Sequence, residues 1–143
     1  MKNTLLAICL LLPFGAMAQK APAASTQIDT ALQSCLNKET TTKDMSQCYA
    51  TATQAWDKEM NTQYNALIAK LDSNQQKLMR NAQRDWLKYR DSMANASTTW
   101  LSQSQGTISS VTAASQQLVV VKSQALVLKS LKDAGCVDPD GCK

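Results

Sequence analysis

Between Ala23 and Gln105 the chain contains neither glycine nor proline, and through this stretch apolar side chains return every three or four positions. Tyr49, Ala52, Trp56, Met60, Tyr64, Leu67 and Leu71 form one such series, and Leu78, Ala82, Trp86, Tyr89, Met93, Ala96 and Trp100 a second. Spacing of this kind places side chains on one face of a helix and predicts two long amphipathic helices. Three breaks divide the chain. Thr40-Thr41-Thr42 ends a short first helix over about Gln27 to Lys38, Asp72-Ser73-Asn74 supplies capping side chains between the long pair, and Gly106-Thr107 opens a last helix over Ile108 to Lys132. That last segment carries Val111, Leu118, Val119, Val120, Val121, Leu126, Val127, Leu128 and Leu131 and is apolar nearly all round in its middle, so it should pack along the groove between the other two; its β-branched run leaves a strand as the alternative. The fold class predicted is all-α: an antiparallel helical hairpin with further packed helices, a three- to four-helix bundle.

A short connection at Asp72 folds the two long helices antiparallel and sets positions near one another when their numbers sum to about 146. Asp57 then faces Tyr89 and Arg90, Asn61 faces Arg84 and Asp85, Tyr64 faces Ala82 and Gln83, and Trp56 can lie against Trp86 and Tyr89. The expectation is a half-buried network, Asp57 with Arg90 through a bidentate pair and Asn61 with Gln83 or Arg84, that fixes the register.

The beginning of the chain reads differently. Lys2, the apolar run Leu5 to Phe14 and the small-residue site Ala16-Met17-Ala18 form the pattern of a secretory signal peptide, residues 1–18, cut after Ala18. The run is too short for the roughly 20 apolar residues of a bilayer-crossing helix, so no stable membrane anchor is expected after cleavage. Residues 19–26 read as an Ala/Pro/Ser/Thr leader and residues 27–143 as a single helical domain. Export leaves Cys35, Cys48, Cys136 and Cys142 in an oxidising compartment, an even number that fits two disulfides. Of the three possible pairings, the sequence-local one, Cys35 with Cys48 and Cys136 with Cys142, is favoured because each pair brackets a short segment of turn-formers.

Composition removes several classes of function. The 143 residues include no histidine, so the imidazole that serves most general-base and zinc sites is missing. A formal net charge of +4, scattered along the chain, does not form the basic stripe of a nucleic-acid binder. Asp138-Pro139-Asp140-Gly141 is a turn rather than a calcium loop, since the following ligand positions are absent. The carboxylate pairs Asp57 with Asp91 and Glu39 with Asp44 are explained by arginine partners and by a helix cap. No catalytic residue, metal or cofactor is assigned, and the chain is read as a binding protein, not an enzyme.

Two segments carry a family resemblance. Trp56-Asp57-Lys58-Glu59-Met60-Asn61-Thr62-Gln63-Tyr64, and Leu78-Met79-Arg80-Asn81-Ala82-Gln83-Arg84-Asp85-Trp86-Leu87-Lys88-Tyr89-Arg90-Asp91, together with the upstream Cys35 and Cys48, resemble the core of the LprI-type lysozyme inhibitor domain family of small exported bacterial proteins. The likeness covers about Cys35 to Gly106. It departs where the family often has a cysteine after Arg-Asp, here Ser92-Met93-Ala94, and where it commonly has a further cysteine and a Thr-x-x-Arg motif near the end. The resemblance implies a periplasmic or secreted protein that binds and inhibits a lysozyme-like peptidoglycan-cleaving enzyme, as an inhibitor or an immunity factor against a competitor's toxin. A non-inhibitory envelope adaptor or structural binding module is the alternative. Basic residues at the hairpin end, Lys70, Lys77 and Arg80, or Lys38 and Lys43 beside the first cysteine pair, are candidate contacts for the carboxylates of a muramidase cleft.

Overall fold

A computed structural model describes residues 23–104 and 106–135, and these form four α-helices and one short 3₁₀ turn. Helix α1 spans Ala24–Leu36, α2 Thr42–Ile68, α3 Ser73–Ser104 and α4 Ser109–Ala134, with the 3₁₀ turn at Gly106–Ile108. The chain is helical where the periodicity predicts, although α1 begins at Ala24 rather than Gln27. The Leu118 to Val121 segment, for which a strand was the alternative, lies inside α4. Gly106 sits at φ 57°, in the left-handed region that L side chains avoid, which is why the chain turns from α3 to α4 at a glycine.

Side chains supply the caps that Gly and Pro do not. Thr41 caps α2: its Oγ1 accepts the Asp44 amide at 3.1 Å and donates to Asp44 Oδ2 at 2.6 Å. Asp72 and Gln75 form a reciprocal box at the start of α3, with the Gln75 amide donating to Asp72 Oδ1 at 2.8 Å and the Asp72 amide to Gln75 Oε1 at 3.0 Å. Gln76 closes the same turn from the other side, its Nε2 donating to the carbonyls of Ile68 at 3.1 Å and Leu71 at 3.0 Å. The many Ser and Thr residues are accommodated inside helices by bonding back one turn, as Thr53 does to Tyr49 O and Ser97 to Met93 O.

Successive helices run antiparallel, so α2 and α4 lie parallel, Ser46 meeting Ser110 near their starts and Gln63 meeting Lys132 near their ends. These two approach each other most closely, α4 also packs along α3, and α1 lies along α2. Small side chains permit the close approach: Ala52 on α2 and Ala113 and Ala125 on α4 are all buried. Trp56, Met60, Leu67, Leu118, Val121 and Leu128 complete the core, with Leu32 entering from α1. Between α2 and α3 the space is spanned by long side chains rather than by close backbones, as Gln83 and Arg90 reach across it.

Helix α3 is rotated relative to the face its apolar periodicity predicts. Leu78, Tyr89 and Trp100 are 70%, 51% and 69% exposed, and Met93 is also open to solvent. The inward positions are instead Met79, Gln83, Trp86, Arg90, Ala94, Ser97 and Leu101, which apart from Trp86 lie one residue further along the helix and include three polar side chains. The expectation fails because Gln83 and Arg90 find partners on α2 and α4, while Ser97 bonds back along its own helix. Once satisfied, they cost little to bury.

Candidate functional site: the polar junctions and the α2–α3 groove

Trp56 is the most enclosed large side chain, 1% exposed, and its partners come from α1 and α4. Its indole Nε1 donates to Asp29 Oδ1 at 3.3 Å, while Lys122 Nζ stands 5.1 Å over the ring and donates to Asp29 Oδ2 at 2.6 Å. One carboxylate thus joins three helices. Neither Asp29 nor Lys122 was singled out from the sequence; the only available signal was that Trp56, as a core residue with a donor, needed an acceptor somewhere. Trp86 packs at the margin of the core with the Arg90 guanidinium 5.7 Å over its ring, whereas Tyr89 is half exposed.

The polar residues expected to bridge α2 and α3 divide into those that do and those that do not. Arg90 Nη1 lies 3.7 Å from Asp57 Oδ1, a single contact rather than a bidentate one, because Arg90 Nε and Nη2 are both taken by Asp91 Oδ1 at 2.8 Å. Asn61 does not reach Gln83 or Arg84: its Nδ2 turns back along α2 to the Asp57 carbonyl at 2.9 Å and Asp57 Oδ2 at 3.3 Å. The residue opposite Gln83 is Met60, whose Sδ accepts from Gln83 Nε2 at 3.6 Å. Gln83 Oε1 accepts from Gln124 of α4 at 2.9 Å, so this buried amide serves as the shared joint of α2, α3 and α4. Arg84 donates to Asn81 Oδ1 within α3. Tyr64 is half-buried against the core.

Two cavities flank the Asp57–Arg90 contact. One, of about 590 Å³, opens between α2, α3 and α4 where Ala94 and Ser97 are too small to fill the gap, and is bordered by Thr53, Met93 and Val120. The other, of about 650 Å³, lies between α2 and α3 toward the hairpin end, walled by Asn61 and Tyr64 on one side and by Lys77, Arg80, Asn81 and Arg84 on the other. Lys77 and Arg80, two of the three basic residues expected at the hairpin end, therefore line a groove; Lys70 lies on the turn itself, exposed.

At the other end of α2, Cys35 and Cys48 are bonded to each other, with their Cα atoms 5.8 Å apart. A Glu39 carboxylate oxygen and the two sulfurs lie within 4.8 Å of one another, but sulfurs joined in a disulfide are not thiolate ligands, so the trio does not read as a metal site. The expected partner bridge, Cys136 with Cys142, lies outside the described residues, as do the signal peptide and the Asp138–Gly141 turn. Among the described residues no helix is long and apolar enough to cross a membrane.

Among the described residues two carboxyls are held below their ordinary value of 3.8: Asp85, chiefly by the hydrogen bond from Lys88, and Asp133, chiefly by the hydrogen bond from Lys129. Both are exposed and pair along their own helix, which describes a solvated surface rather than an acid–base centre.

A disulfide-anchored helix followed by a hairpin and a fourth helix packed on it coincides with a known family model. The match, to the family described as lysozyme inhibitor LprI, runs over residues 35–128, from the first bridged cysteine to the last buried leucine of α4. The chain belongs to the LprI family. Its LprI domain thus extends beyond the two motif segments and takes in most of α4. Among solved structures, the LprI chain is similar to a crystal structure of an uncharacterised protein from Burkholderia thailandensis, at 28% identity and a TM-score of 0.71. The alignment covers 81% of this chain and 57% of that one, so the Burkholderia protein is the longer by a wide margin. Comparison with curated proteins gave no match.

Proposed function

We propose that this protein is an exported inhibitor of a lysozyme-like, peptidoglycan-cleaving enzyme, acting by binding the enzyme rather than by chemistry of its own. The observation that carries the reading is the LprI match across residues 35–128, in a family described by lysozyme inhibition. The Cys35–Cys48 bridge supports a place outside the cytoplasm, where disulfides persist, and agrees with the signal-peptide pattern of residues 1–18.

The fold suits such work. Helices clamped by a disulfide, side-chain caps and cross-helix hydrogen bonds lose little conformational freedom on binding, which keeps more of the contact energy as affinity. Protection against a host lysozyme and immunity to a competitor's wall hydrolase place the same demand on the molecule, namely a rigid surface complementary to a saccharide cleft. The experiment is direct: the mature chain, oxidised, is mixed in micromolar excess with a panel of animal lysozymes and bacterial muramidases, and lysis of cell-wall suspensions is followed. At least one enzyme should slow; unchanged rates across the panel would remove the proposal.

A further inference from the structure

We propose that Lys77, Arg80 and Arg84 are the surface by which the protein engages the carboxylates of its target's saccharide cleft; this rests on the inhibitory reading above. The three residues follow one another at spacings of three and four on α3, so they share one face, and all are exposed along the wall of the α2–α3 groove.

What distinguishes them is the company they keep. Other basic side chains on α3 and α4 meet acids: Lys88 meets Asp85, Arg90 meets Asp91 and Asp57, Lys122 meets Asp29, and Lys129 and Lys132 meet Asp133. Among the described residues, Arg80 bonds only a neutral acceptor, Gln76 Oε1 at 3.2 Å, and Arg84 only Asn81 Oδ1. Among the described residues no carboxylate forms an ion pair with Lys77, Arg80 or Arg84; Asp85, next in sequence to Arg84, feels its charge but hydrogen-bonds Lys88, and Asp57 at the far end of the groove faces Arg90. At the alternative basic site beside the disulfide, Lys38 lies in the break between α1 and α2 and Lys43 in the first turn of α2, and they alternate in sequence with Glu39 and Asp44, so they do not form one helical row of cations.

Spacing and rigidity then select the occupant. Cationic side chains three or four residues apart on a helix have Cβ atoms about 5–6 Å apart. The two catalytic carboxyl groups of a glycosidase stand about 5–5.5 Å apart in retaining enzymes and about 6.5–9.5 Å in inverting ones, a separation that two adjacent guanidinium groups can span. The three residues occupy the first turns of α3, beside a tip fixed by the Asp72–Gln75 box and by Gln76, so the hairpin end presents them without ordering a loop.

The test uses the full mature chain against whichever muramidases of the panel it inhibits. The charge reversal Arg80→Glu with Arg84→Glu, and separately the milder Arg80→Gln with Arg84→Gln, are compared with a control reversal at the other basic site, Lys38→Glu with Lys43→Glu. Circular dichroism confirms that each variant retains its helix content and Tm. The groove reversal should raise the inhibition constant at least ~30-fold and the Gln pair by a smaller factor, with the control within about 3-fold; amide replacement of either catalytic acid of the enzyme should weaken binding of the wild-type inhibitor. If the wild type inhibits and the groove variants inhibit equally well, this surface is overturned while the inhibitory function stands. If no enzyme is inhibited by the wild type, the function itself fails and the surface with it. Loss of binding to phosphatidylglycerol vesicles with inhibition intact would reassign the three cations to a lipid surface and overturn the proposal.

Discussion

Lys122 of α4 donates to Asp29 of α1 at 2.6 Å across 93 residues of chain, and the same carboxylate accepts the Trp56 indole N–H from α2. The pair itself is partly exposed, 34% and 43% at the side chains, so its Coulombic share is modest. The larger liability is Trp56, which is 1% exposed and would keep a buried donor without its acceptor. Asp29→Ala should therefore destabilise the fold by about 1–3 kcal/mol, whereas Lys122→Met, which preserves both the Trp56 bond and the packing of an aliphatic stem, should cost about 1 kcal/mol or less. Urea denaturation of the two variants and their double mutant measures the difference; equal losses would mean that Trp56 draws nothing from Asp29.

The Cys35–Cys48 bridge ties α1 to the first turns of α2 across a sequence separation of 13. Closing a loop of this length in the unfolded chain contributes about 3 kcal/mol in the chain-entropy model. Reduction should lower the Tm by roughly 10 °C or more, since each kcal/mol moves a domain of this size by several degrees. The loss should fall first on α1, whose backbone lies along α2 and whose only buried residue is Leu32. Hydrogen exchange of the α1 amides under reducing conditions reports it, and protection equal to that of α2 would contradict the assignment.

The helices and their breaks were legible because their determinants are local: Thr41 and Asp72 cap from within the turns they begin, and a chain without Gly or Pro from 23 to 105 has few other places to stop. The rotation of α3 was not, since Leu78, Tyr89, Met93 and Trp100 make the better apolar stripe and the residues that turn inward, Gln83 and Arg90, owe their places to Gln124, Met60 and Asp57 on other helices. The difference can be measured. Trp86→Ala should cost about 2–3 kcal/mol, because the ring packs on the core, while Tyr89→Ala, one turn away and half exposed, should stay within about 1 kcal/mol. Comparable losses would favour the face read from periodicity.

The candidate site shows the same division. Lys77 and Arg80 were visible as basic residues near a predicted turn, but that Arg84 stands with them and that none of the three forms an ion pair among the described residues depends on where Asp57, Asp85 and Asp91 point in three dimensions. Asn61 illustrates the limit of register arithmetic: a sum near 146 brings its backbone opposite Arg84 and Asp85, yet a carbonyl one turn behind it on α2 wins the side chain.

Acid should loosen the end of α4 before it touches the core. Lys129 and Lys132 hold the Asp133 carboxyl below its ordinary value of 3.8, and a carboxyl whose folded pKa lies under the unfolded one stabilises the fold at every pH above the unfolded value. That contribution is constant from neutrality down to about pH 5 and is lost as the pH falls through the lowered pKa, when protonation releases both lysines. Because Asp133 is exposed at the end of α4, the effect is confined to the last turn and should not move the global midpoint. Amide exchange at Ala134 and Gly135 is expected to accelerate below about pH 4, beyond the intrinsic pH dependence of exchange, in the wild type only, and Asp133→Asn should show the faster exchange already at neutral pH. Indistinguishable exchange in the two proteins at pH 7 would show that the Lys129–Asp133 pair does not hold this helix end.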